Sequence, residues 1–211
     1  IGPCVRLWRI ARFRKTLPKA DKIARAQKAT GFQKILLYPK AQKVQLKGKN
    51  MILDLGGIAK GYAADKMLEI LKKKGVLSAL VDAGGDLALG DAPPDKKGWQ
   101  IEIGGREHPD LPVLELANCA VATSGDIEQF VEVDGKRYSH IIDPRTGIGL
   151  TTRLQVTVVA PSGMQADSLA SALTVLGPEE GALLVKTMPS VESYFVQRHG
   201  KGRRLTRIKG E

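Results

Sequence analysis

The sequence lacks the features that mark several large classes of protein. Only two of its 211 residues are cysteines, Cys4 and Cys119, and they lie far apart. Their spacing argues against a disulfide framework and against a cysteine-based metal site. No apolar run approaches the roughly 20 residues that a membrane-spanning helix needs. Neither a Walker A loop nor a Rossmann G-x-G-x-x-G motif is present, so two familiar nucleotide-binding motifs are excluded.

Acidic charge is scarce relative to basic charge, and the net charge is +11. The basic residues concentrate at 6–15, 72–74 and 198–209. Aromatic residues make up only 5% of the chain, and no basic motif is interleaved with them as in RNA-binding sheets. We therefore expect a solvated basic surface rather than a nucleic-acid site, and an anionic small ligand would fit the charge equally well.

The chain begins at Ile1 rather than at a methionine. We therefore expect a processed or truncated product of a longer protein, with any export signal upstream. Residues 1–50 are predicted to form a mainly helical, basic lead-in that belongs to the same unit as the rest. Residues 51–211 are predicted to form the catalytic domain.

The first half of the chain contains two predicted helices with strands between them. A helix is expected after Pro18, a short strand in GFQKILLY, and a hairpin over Val44 to Leu53 that turns at GKN. The first clear helix should run from about Ile58 to Lys74 and end at Gly75. Its predicted apolar face consists of Ala63, Met67, Ile70 and Leu71.

The second half has the pattern of short strands joined by hairpins. LSALVDAGGDLAL is predicted as a buried strand that ends in a glycine pair, with DAGGD interpreted as a turn, and FVEVDGKRYSHII as a hairpin with Asp134-Gly135 at its turn. WQIEIG, PVLELANCAVATSG, RLQVTVVA and VESYFVQ also have strand patterns, and MQADSLASALTVLG is predicted as a helix that ends at Gly177. The expected fold class is α+β, with a largely antiparallel sheet and packed helices.

The segment LDLGGIAKGYAAD, residues 53–65, weakens the start of a helix with Gly56, Gly57 and Gly61. Each glycine costs about 1 kcal/mol relative to alanine inside a helix, so these glycines serve something other than helix stability. Open N–H groups at a helix N-terminus, with Lys60 beside them, form a favourable seat for a phosphate. The alternative is a tight turn whose glycines allow close packing.

In ADSLAS, Asp167 and Ser171 lie four residues apart and so share one face of a helix. A carboxylate and a hydroxyl in this arrangement are the hard oxygen ligands that Mg²⁺ prefers. The alternative is an acidic residue favoured by the helix dipole and an ordinary polar surface residue. In YSHIIDPRTG, His140 could take a proton from a hydroxyl, although a single histidine in a strand is more often structural.

Taken in order, LDLGGIAKGYAAD, DAGGD, ATSGD, DGKRYSHIIDPRTG and ADSLASALTVLG resemble the motifs of the ApbE family, the FAD:protein FMN transferases. The resemblance covers essentially the whole chain. It implies a T-fold-like module and an exported enzyme, often lipid-anchored, in the periplasm or at the outer face of the cytoplasmic membrane. It also implies Mg²⁺-dependent transfer of FMN from FAD to a threonine or serine of a partner flavoprotein, with release of AMP.

The resemblance also assigns roles to individual residues. The metal positions are Gly57 and Ala170, through their carbonyls, together with Asp167 and Ser171, where the family usually has threonine. The FAD contacts are Asp54, Gly56, Lys60, Ser124 and Ile142. His140 is the implied base, and Lys60 is expected to assist catalysis electrostatically. The family's N-terminal region, with its Met-Gly-Thr segment, has no counterpart in these residues.

Three functions remain open on the sequence alone. The first is the flavin transferase. The second is a Mg²⁺-dependent FAD pyrophosphatase, in which water replaces the partner hydroxyl. The third is an FAD-binding protein without turnover. A nucleic-acid binder is motivated only by the charge.

Overall fold

The computed structural model describes residues 1–103, 111–125, 129–199 and 202–211. It divides the chain into two compact units. Unit 1 comprises Ile1–Asp54 and Asp126–Thr152, and unit 2 comprises Leu55–Gly125 and Arg153–Glu211. The predicted organisation, a lead-in over residues 1–50 and a catalytic domain over 51–211, stays a prediction. No local pattern predicted that residues 126–152 group with the first 54.

The helices are α1 (Gly2–Arg14), α2 (Ala20–Lys28), α3 (Ala59–Lys73) and α4 (Gly163–Lys186), with short 3₁₀ turns at Phe32–Lys34 and Pro39–Ala41. The strands are β1 (Ile35–Tyr38), β2 (Lys43–Leu46), β3 (Leu80–Asp82), β4 (Leu87–Leu89), β5 (Trp99–Glu102), β6 (Val113–Leu116), β7 (Ala120–Gly125), β8 (Phe130–Val133), β9 (Lys136–Ser139), β10 (Ile142–Asp143), β11 (Ile148–Gly149), β12 (Leu154–Ala160), β13 (Glu192–His199) and β14 (Gly202–Lys209). Within the described ranges, no helix has both the length and the apolar character needed to cross a membrane.

Unit 2 is built on a six-stranded sheet in the order β14-β13-β12-β7-β4-β3, and every neighbouring pair in it is antiparallel. Strand β12 shows why the sheet has two apolar faces. Leu154, Val156 and Val158, at every second position, belong to the core cluster that also contains α4 residues. Val159, which alternates with them, packs with Ile101 of β5 on the other side. The predicted α+β class with a largely antiparallel sheet is confirmed.

Unit 1 contains α1, α2 and the short hairpins. Its core is formed by a cluster of buried side chains from both segments: Cys4, Trp8, Ala11, Ala26, Val131 and Ile142. The Trp8 indole N–H donates to the carbonyl of Gly147 (2.8 Å), and its ring lies 5.6 Å from that of Tyr138. This buried contact ties α1 to the 129–152 part of its own unit.

Several sequence-based predictions of local structure are confirmed. Helix α2 begins after Pro18, and β1 occupies the strand predicted in GFQKILLY. The β8–β9 hairpin turns at Asp134 and Gly135, which both have positive φ (51° and 70°), as a type I′ turn requires. Helix α4 is interrupted at Gly177 (φ 75°, ψ 177°), where the sequence predicted its end, and Pro178 follows the break.

Other predictions of local structure are wrong. Val44 belongs to a hairpin that pairs β1 with β2 around Pro39–Ala41, not to one that turns at GKN. The glycine pair of DAGGD joins two antiparallel strands, β3 and β4, instead of ending one. No element was predicted for the basic segment near the C-terminus, which forms strand β14 and pairs along its whole length with β13.

The predicted apolar face of α3 is also wrong. Met67 and Ile70 are 43% and 59% exposed, whereas the buried residues of the helix are Gly61, Ala64 and Leu68. The buried stripe consists mainly of small residues, so hydrophobicity alone does not reveal it. Small side chains allow a neighbouring backbone to approach closely, and in unit 2 that neighbour is α4.

Candidate functional site

Helices α3 and α4 of unit 2 approach each other closely at two glycines. A Cβ atom added to Gly61 would lie 2.0 Å from the carbonyl oxygen of Gly163, and one added to Gly163 would lie 2.5 Å from the carbonyl oxygen of Gly61. No side chain can occupy either position without moving a backbone. The close packing that the sequence left as an alternative is therefore what these glycines permit.

Two carboxylates cap the helices reciprocally at this crossing. Asp167 of α4 accepts a hydrogen bond from the Gly61 N–H in the first turn of α3 (3.2 Å). Asp65 of α3 accepts hydrogen bonds from the N–H groups of Gly163 (2.6 Å) and Met164 (2.9 Å) at the start of α4. Each helix end thus receives negative charge from the other helix, which favours its dipole.

The structure brings the predicted metal residues of α4 against the glycine turn before α3. Asp167 is 5% exposed, and Ser171 follows it by one helical turn. A Cβ atom added to Gly57 would lie 3.0 Å from Ser171 Oγ, so the Ser171 hydroxyl lies directly beside the Gly57 main chain. Gly57 from the glycine turn and Asp167 and Ser171 from the ADSLAS motif therefore belong to one location within unit 2.

The N–H groups at this helix end are mostly occupied. Those of Ile58 and Ala59 donate to the Leu55 carbonyl (3.1 and 2.9 Å), and that of Gly61 donates to Asp167. Fewer donors remain for a phosphate than the glycine-rich sequence suggested. The direct structural role of Gly57 and Gly61 is the close approach of α4.

Lys60 projects from the first turn of α3 to the β3–β4 turn. Its ammonium lies 3.0 Å from Asp86 Oδ2 and donates to the Gly84 carbonyl (3.3 Å). The turn itself is fixed by the Gly85 N–H, which donates to Asp82 Oδ1 (2.7 Å). Sequence reasoning treated DAGGD as a turn and missed Asp86, although an acid directly before a buried strand was a signal. The side chain of Lys60 is 48% exposed and that of Asp86 only 2%.

The environment of Asp86 disfavours the charged form of its carboxylate. Burial raises its pKa to about 6, the Lys60 ammonium opposes the rise, and the neighbouring Asp167 carboxylate adds to it. Two carboxylates held together in a buried location are stabilised by a cation, and Lys60 supplies only one positive charge. This is an environment in which a divalent cation would be favoured.

The pKa of Asp86 predicts how stability varies with pH in metal-free protein. Because the folded pKa of about 6 lies above the ordinary aspartate value of 3.8, the protonated carboxyl contributes stability that is complete below pH 3.8 and is lost as pH rises through 6. Between pH 5 and pH 7.5 the wild type should lose about 1 kcal/mol relative to Asp86→Asn, which cannot titrate. Urea unfolding of both proteins in EDTA measures this difference. If the wild type and Asp86→Asn differ in free energy of unfolding by the same amount at both pH values, the raised pKa of Asp86 is contradicted.

The oxygen atoms near Asp167 suit a hard divalent cation. Within the described residues, no three His, Cys, Asp or Glu side chains are grouped so that they could hold a metal ion. A magnesium site would therefore need hydroxyl and main-chain oxygens besides Asp167, which is the set predicted with Ser171, Gly57 and Ala170. Ala170 is 1% exposed, and its carbonyl already accepts a hydrogen bond from the Thr174 hydroxyl (2.7 Å). Because Ala170 lies inside α4, the same carbonyl also faces the Thr174 N–H of the helix, so a metal ion would have to share it with both groups.

The remaining predicted cofactor residues fall in both units. In unit 2, Ser124 lies on β7 opposite Val156 of β12, and Gly56 lies in the turn before α3. In unit 1, Asp54 forms an ion pair with Arg9 (2.8 Å), and Ile142 is 5% exposed within the core. The side chain of Ile142 is thus used for packing. The FAD contacts proposed for all four residues stay predictions.

His140, the predicted base, follows strand β9 in unit 1. Its main-chain N–H donates to the Gln129 carbonyl (3.0 Å), and its ring Nδ1 lies 3.1 Å from the same oxygen. The imidazole is half-buried. It is therefore held in one orientation by its own hairpin, which is the minimum that a proton-transferring residue requires.

Comparison with known sequences identifies relatives over nearly the whole chain. The sequence model described as "ApbE family" matches residues 1–195. The FAD:protein FMN transferase of Treponema pallidum (strain Nichols) is 37% identical over 214 residues, which cover 93% of this chain and 59% of that protein. The chain thus spans about three fifths of the length of this relative.

Solved structures show the same similarity. The apo form of the flavinyl transferase ApbE of Pseudomonas stutzeri has a TM-score of 0.82 and 35% identity, and the match covers 99% of this chain and 65% of that one. The ApbE protein of Thermotoga maritima has a TM-score of 0.82 and 32% identity, with 98% and 69% covered. At 35% and 32% identity, these proteins resemble this chain in sequence as well as in fold.

Proposed function

Because this chain belongs to the ApbE family, we propose that it transfers FMN from FAD to a threonine or serine hydroxyl of a partner flavoprotein. In this reaction the hydroxyl loses its proton, its oxygen forms a bond to the FMN phosphorus, and the bond between that phosphorus and the AMP oxygen breaks. AMP leaves with the electron pair of the broken bond. The acceptor is proposed by chemical class only.

The observation that carries the proposal is the meeting of Gly57, Asp167 and Ser171 in unit 2, with Lys60 and Asp86 adjacent. These groups combine hard oxygen donors with one ammonium. Such a combination suits a diphosphate accompanied by a divalent cation. A turn that served packing alone would not require a buried Asp86 beside Asp167.

We propose that Asp167, Ser171 and the carbonyls of Gly57 and Ala170 hold Mg²⁺. When bound, the ion supplies charge neutralisation at the diphosphate and stabilisation of the leaving phosphate. Lys60, which Asp86 holds at 3.0 Å, contributes positive charge from the protein itself. Because the Lys60 side chain is 48% exposed, it can exchange part of its contact with Asp86 for a phosphate oxygen.

We propose His140 as the group that accepts the proton of the acceptor hydroxyl. His140→Ala should slow FMN transfer by about 100-fold or more while FAD binding is retained, because general-base catalysis typically contributes that much. Stopped-flow or gel-based flavin transfer measures the rate, and flavin fluorescence titration measures binding. Loss of FAD binding together with activity would instead make His140 a ligand-holding or structural residue.

The place of action is proposed from the family resemblance. We propose that the protein works in the periplasm or at the outer face of the cytoplasmic membrane, where exported flavoprotein subunits would be accessible, with a lipid anchor as the means of retention. Fractionation of cells that express the native gene, followed by immunoblotting, tests the location. Recovery in the cytosolic fraction would contradict it.

The direct test of the activity incubates the chain with FAD, Mg²⁺ and an apo flavoprotein subunit that carries the target threonine. The expected products are a flavin-fluorescent acceptor band and AMP in equal amounts. AMP and free FMN without a fluorescent band would indicate the pyrophosphatase, and bound FAD without either product would indicate a binding protein. A target Thr→Val acceptor is the matched control and should remain unlabelled.

A further inference from the structure

The glycine turn and the helix α3 that follows it meet α4 along a regular row of residues. Three contact pairs, each four positions from the next along both segments, make up this row: Gly57 with Ser171, Gly61 with Asp167, and Asp65 with Gly163. Residues four apart lie on one face of a helix, so the row follows a single face of α4. The proposed metal residues belong to the first two pairs, and Asp65 lies beyond them.

Two carboxylates supply the directional contacts of this row. In the part of the chain that the structure describes, Asp65 accepts the N–H groups of Gly163 (2.6 Å) and Met164 (2.9 Å). Asp167 accepts the N–H of Gly61 at the longer distance of 3.2 Å. Asp65 also places a negative charge at the start of α4, where the helix dipole favours it. Most of the directional hold between α3 and α4 therefore comes from Asp65.

The glycines of the row bring the two backbones together without fixing how far one can slide along the other. Gly61 and Gly163 have no side chains, so neither of them interlocks with the opposite helix. Van der Waals contact has little directional preference, whereas an N–H···O hydrogen bond weakens steeply as it is bent. The register between α3 and α4 thus depends on the carboxylates more than on the close approach itself.

The proposed metal site is sensitive to this register. Mg²⁺ requires oxygen atoms at about 2.1 Å in nearly ideal octahedral geometry. Ser171 follows Gly163 by eight residues within α4, so a displacement of the helix start is carried to its hydroxyl. A displacement of about 0.5 Å is enough to weaken a preorganised site. Asp167 cannot fix the register alone, because its carboxylate would be shared with the cation.

From these contacts we infer that Asp65 is a positioning residue of the metal site. By holding the start of α4, it keeps Asp167 and Ser171 in register with the Gly57 main chain. Asp65 does not touch the cation and acts only through the two residues that do. This role rests on the proposed function, in which those residues hold Mg²⁺.

The first test measures metal affinity without turnover. Titration of the chain with Mn²⁺ alone, followed by the EPR signal of the free ion, gives a dissociation constant for each variant. Asp65→Ala should weaken Mn²⁺ binding by about tenfold or more, which is the usual effect of removing a group that orients a metal ligand. Asp65→Asn, which keeps one acceptor oxygen, should fall between Asp65→Ala and the wild type. Wild-type affinity in Asp65→Ala would overturn the positioning role.

Two control variants separate positioning from stability and from charge. Ser162→Ala removes a cap within α4 itself, in which Ser162 Oγ accepts the Gln165 N–H (3.3 Å). It should lower the melting temperature by about 3 °C, much as Asp65→Ala does, and leave Mn²⁺ affinity unchanged. Glu69→Gln removes one negative charge of α3 whose partners are lysines of the same helix, and it should also leave the affinity unchanged. Weakening of either control by as much as Asp65→Ala would contradict a specific role for Asp65.

The second test reads the register in protein without metal. Hydrogen exchange of the Gly61 amide, followed by NMR, reports its hydrogen bond to Asp167. In Asp65→Ala this bond should be misaligned, and the amide should exchange at least about tenfold faster than in Ser162→Ala, which is destabilised to a similar extent. Equal exchange in the two variants would show that Asp65 does not set the register.

Turnover measurements distinguish failure of this role from failure of the proposed function. At excess Mg²⁺, Asp65→Ala should release AMP from FAD within about twofold of the wild-type rate, because the ligands themselves remain. A deficit that excess Mg²⁺ does not restore would overturn the positioning role. If the wild type binds Mn²⁺ tenfold more tightly than Asp65→Ala but neither cleaves FAD nor labels an acceptor, the proposed function fails and the positioning role stands. If the wild type transfers FMN and Asp65→Ala binds Mn²⁺ equally well, the positioning role fails and the proposed function stands.

Discussion

Asp167→Asn should abolish Mg²⁺-dependent release of AMP from FAD while the protein remains about as stable as the wild type. Asparagine keeps an oxygen that can accept the Gly61 N–H, so the cap of α3 is retained. It loses the negative charge, which a divalent cation requires and which water cannot replace at equal strength. We expect at least a roughly 100-fold loss of turnover, equivalent to several kcal/mol of transition-state stabilisation.

Asp167→Ala separates the two roles of the carboxylate. It removes both the charge and the cap, so it should lose turnover as Asp167→Asn does and also about 1 kcal/mol of stability. Asp91→Asn, at an exposed position, is the control for loss of one acidic charge. Turnover of FAD by Asp167→Asn at the wild-type rate would remove Asp167 from the site.

Gly61→Ala should destabilise unit 2 by at least about 3 kcal/mol, at the upper end of the usual cost of overpacking. The added methyl group would lie 2.0 Å from the Gly163 carbonyl oxygen and 2.9 Å from Asp167 Cβ. The first of these is a backbone atom within a helix and cannot turn aside. The helix propensity of alanine, worth about 1 kcal/mol over glycine, does not offset the clash.

Gly181→Ala in the last part of α4 is the matched control for this substitution. Its Cβ would lie 3.0 Å from the ends of the Leu173 and Phe195 side chains, which can adjust. We therefore expect its free energy of unfolding to stay within about 1 kcal/mol of the wild type. Denaturant unfolding of both variants measures the contrast. A Gly61→Ala protein as stable as Gly181→Ala would show that α3 and α4 do not pack as described.

The sequence predicted the parts of the fold and of the site that local pattern determines. Asp167 and Ser171 share a helix face because they lie four residues apart, and the Asp134-Gly135 turn follows from residues that tolerate positive φ. Neither required knowledge of distant contacts. The motifs that carry the family resemblance likewise depend on short segments in a fixed order.

The parts that the sequence did not predict depend on contacts between distant segments. Asp86 is buried because the short strand β4 pairs with β7, about thirty residues later in the chain. The buried stripe of α3 was missed because Gly61 and Ala64 contribute little to a hydrophobic pattern, although they determine how closely α4 approaches. The basic strand β14 was missed because its charged side chains do not alternate with a run of apolar ones.

The central claim is that the glycine turn before α3 and one face of α4 hold the same divalent cation. A crystal structure of the chain with FAD and Mn²⁺, with data collected at the manganese absorption edge, tests this claim most directly. We predict an anomalous peak within coordination distance of an Asp167 carboxylate oxygen, Ser171 Oγ and the Gly57 carbonyl. A peak at another location, or bound FAD with no manganese beside Asp167, would contradict the account.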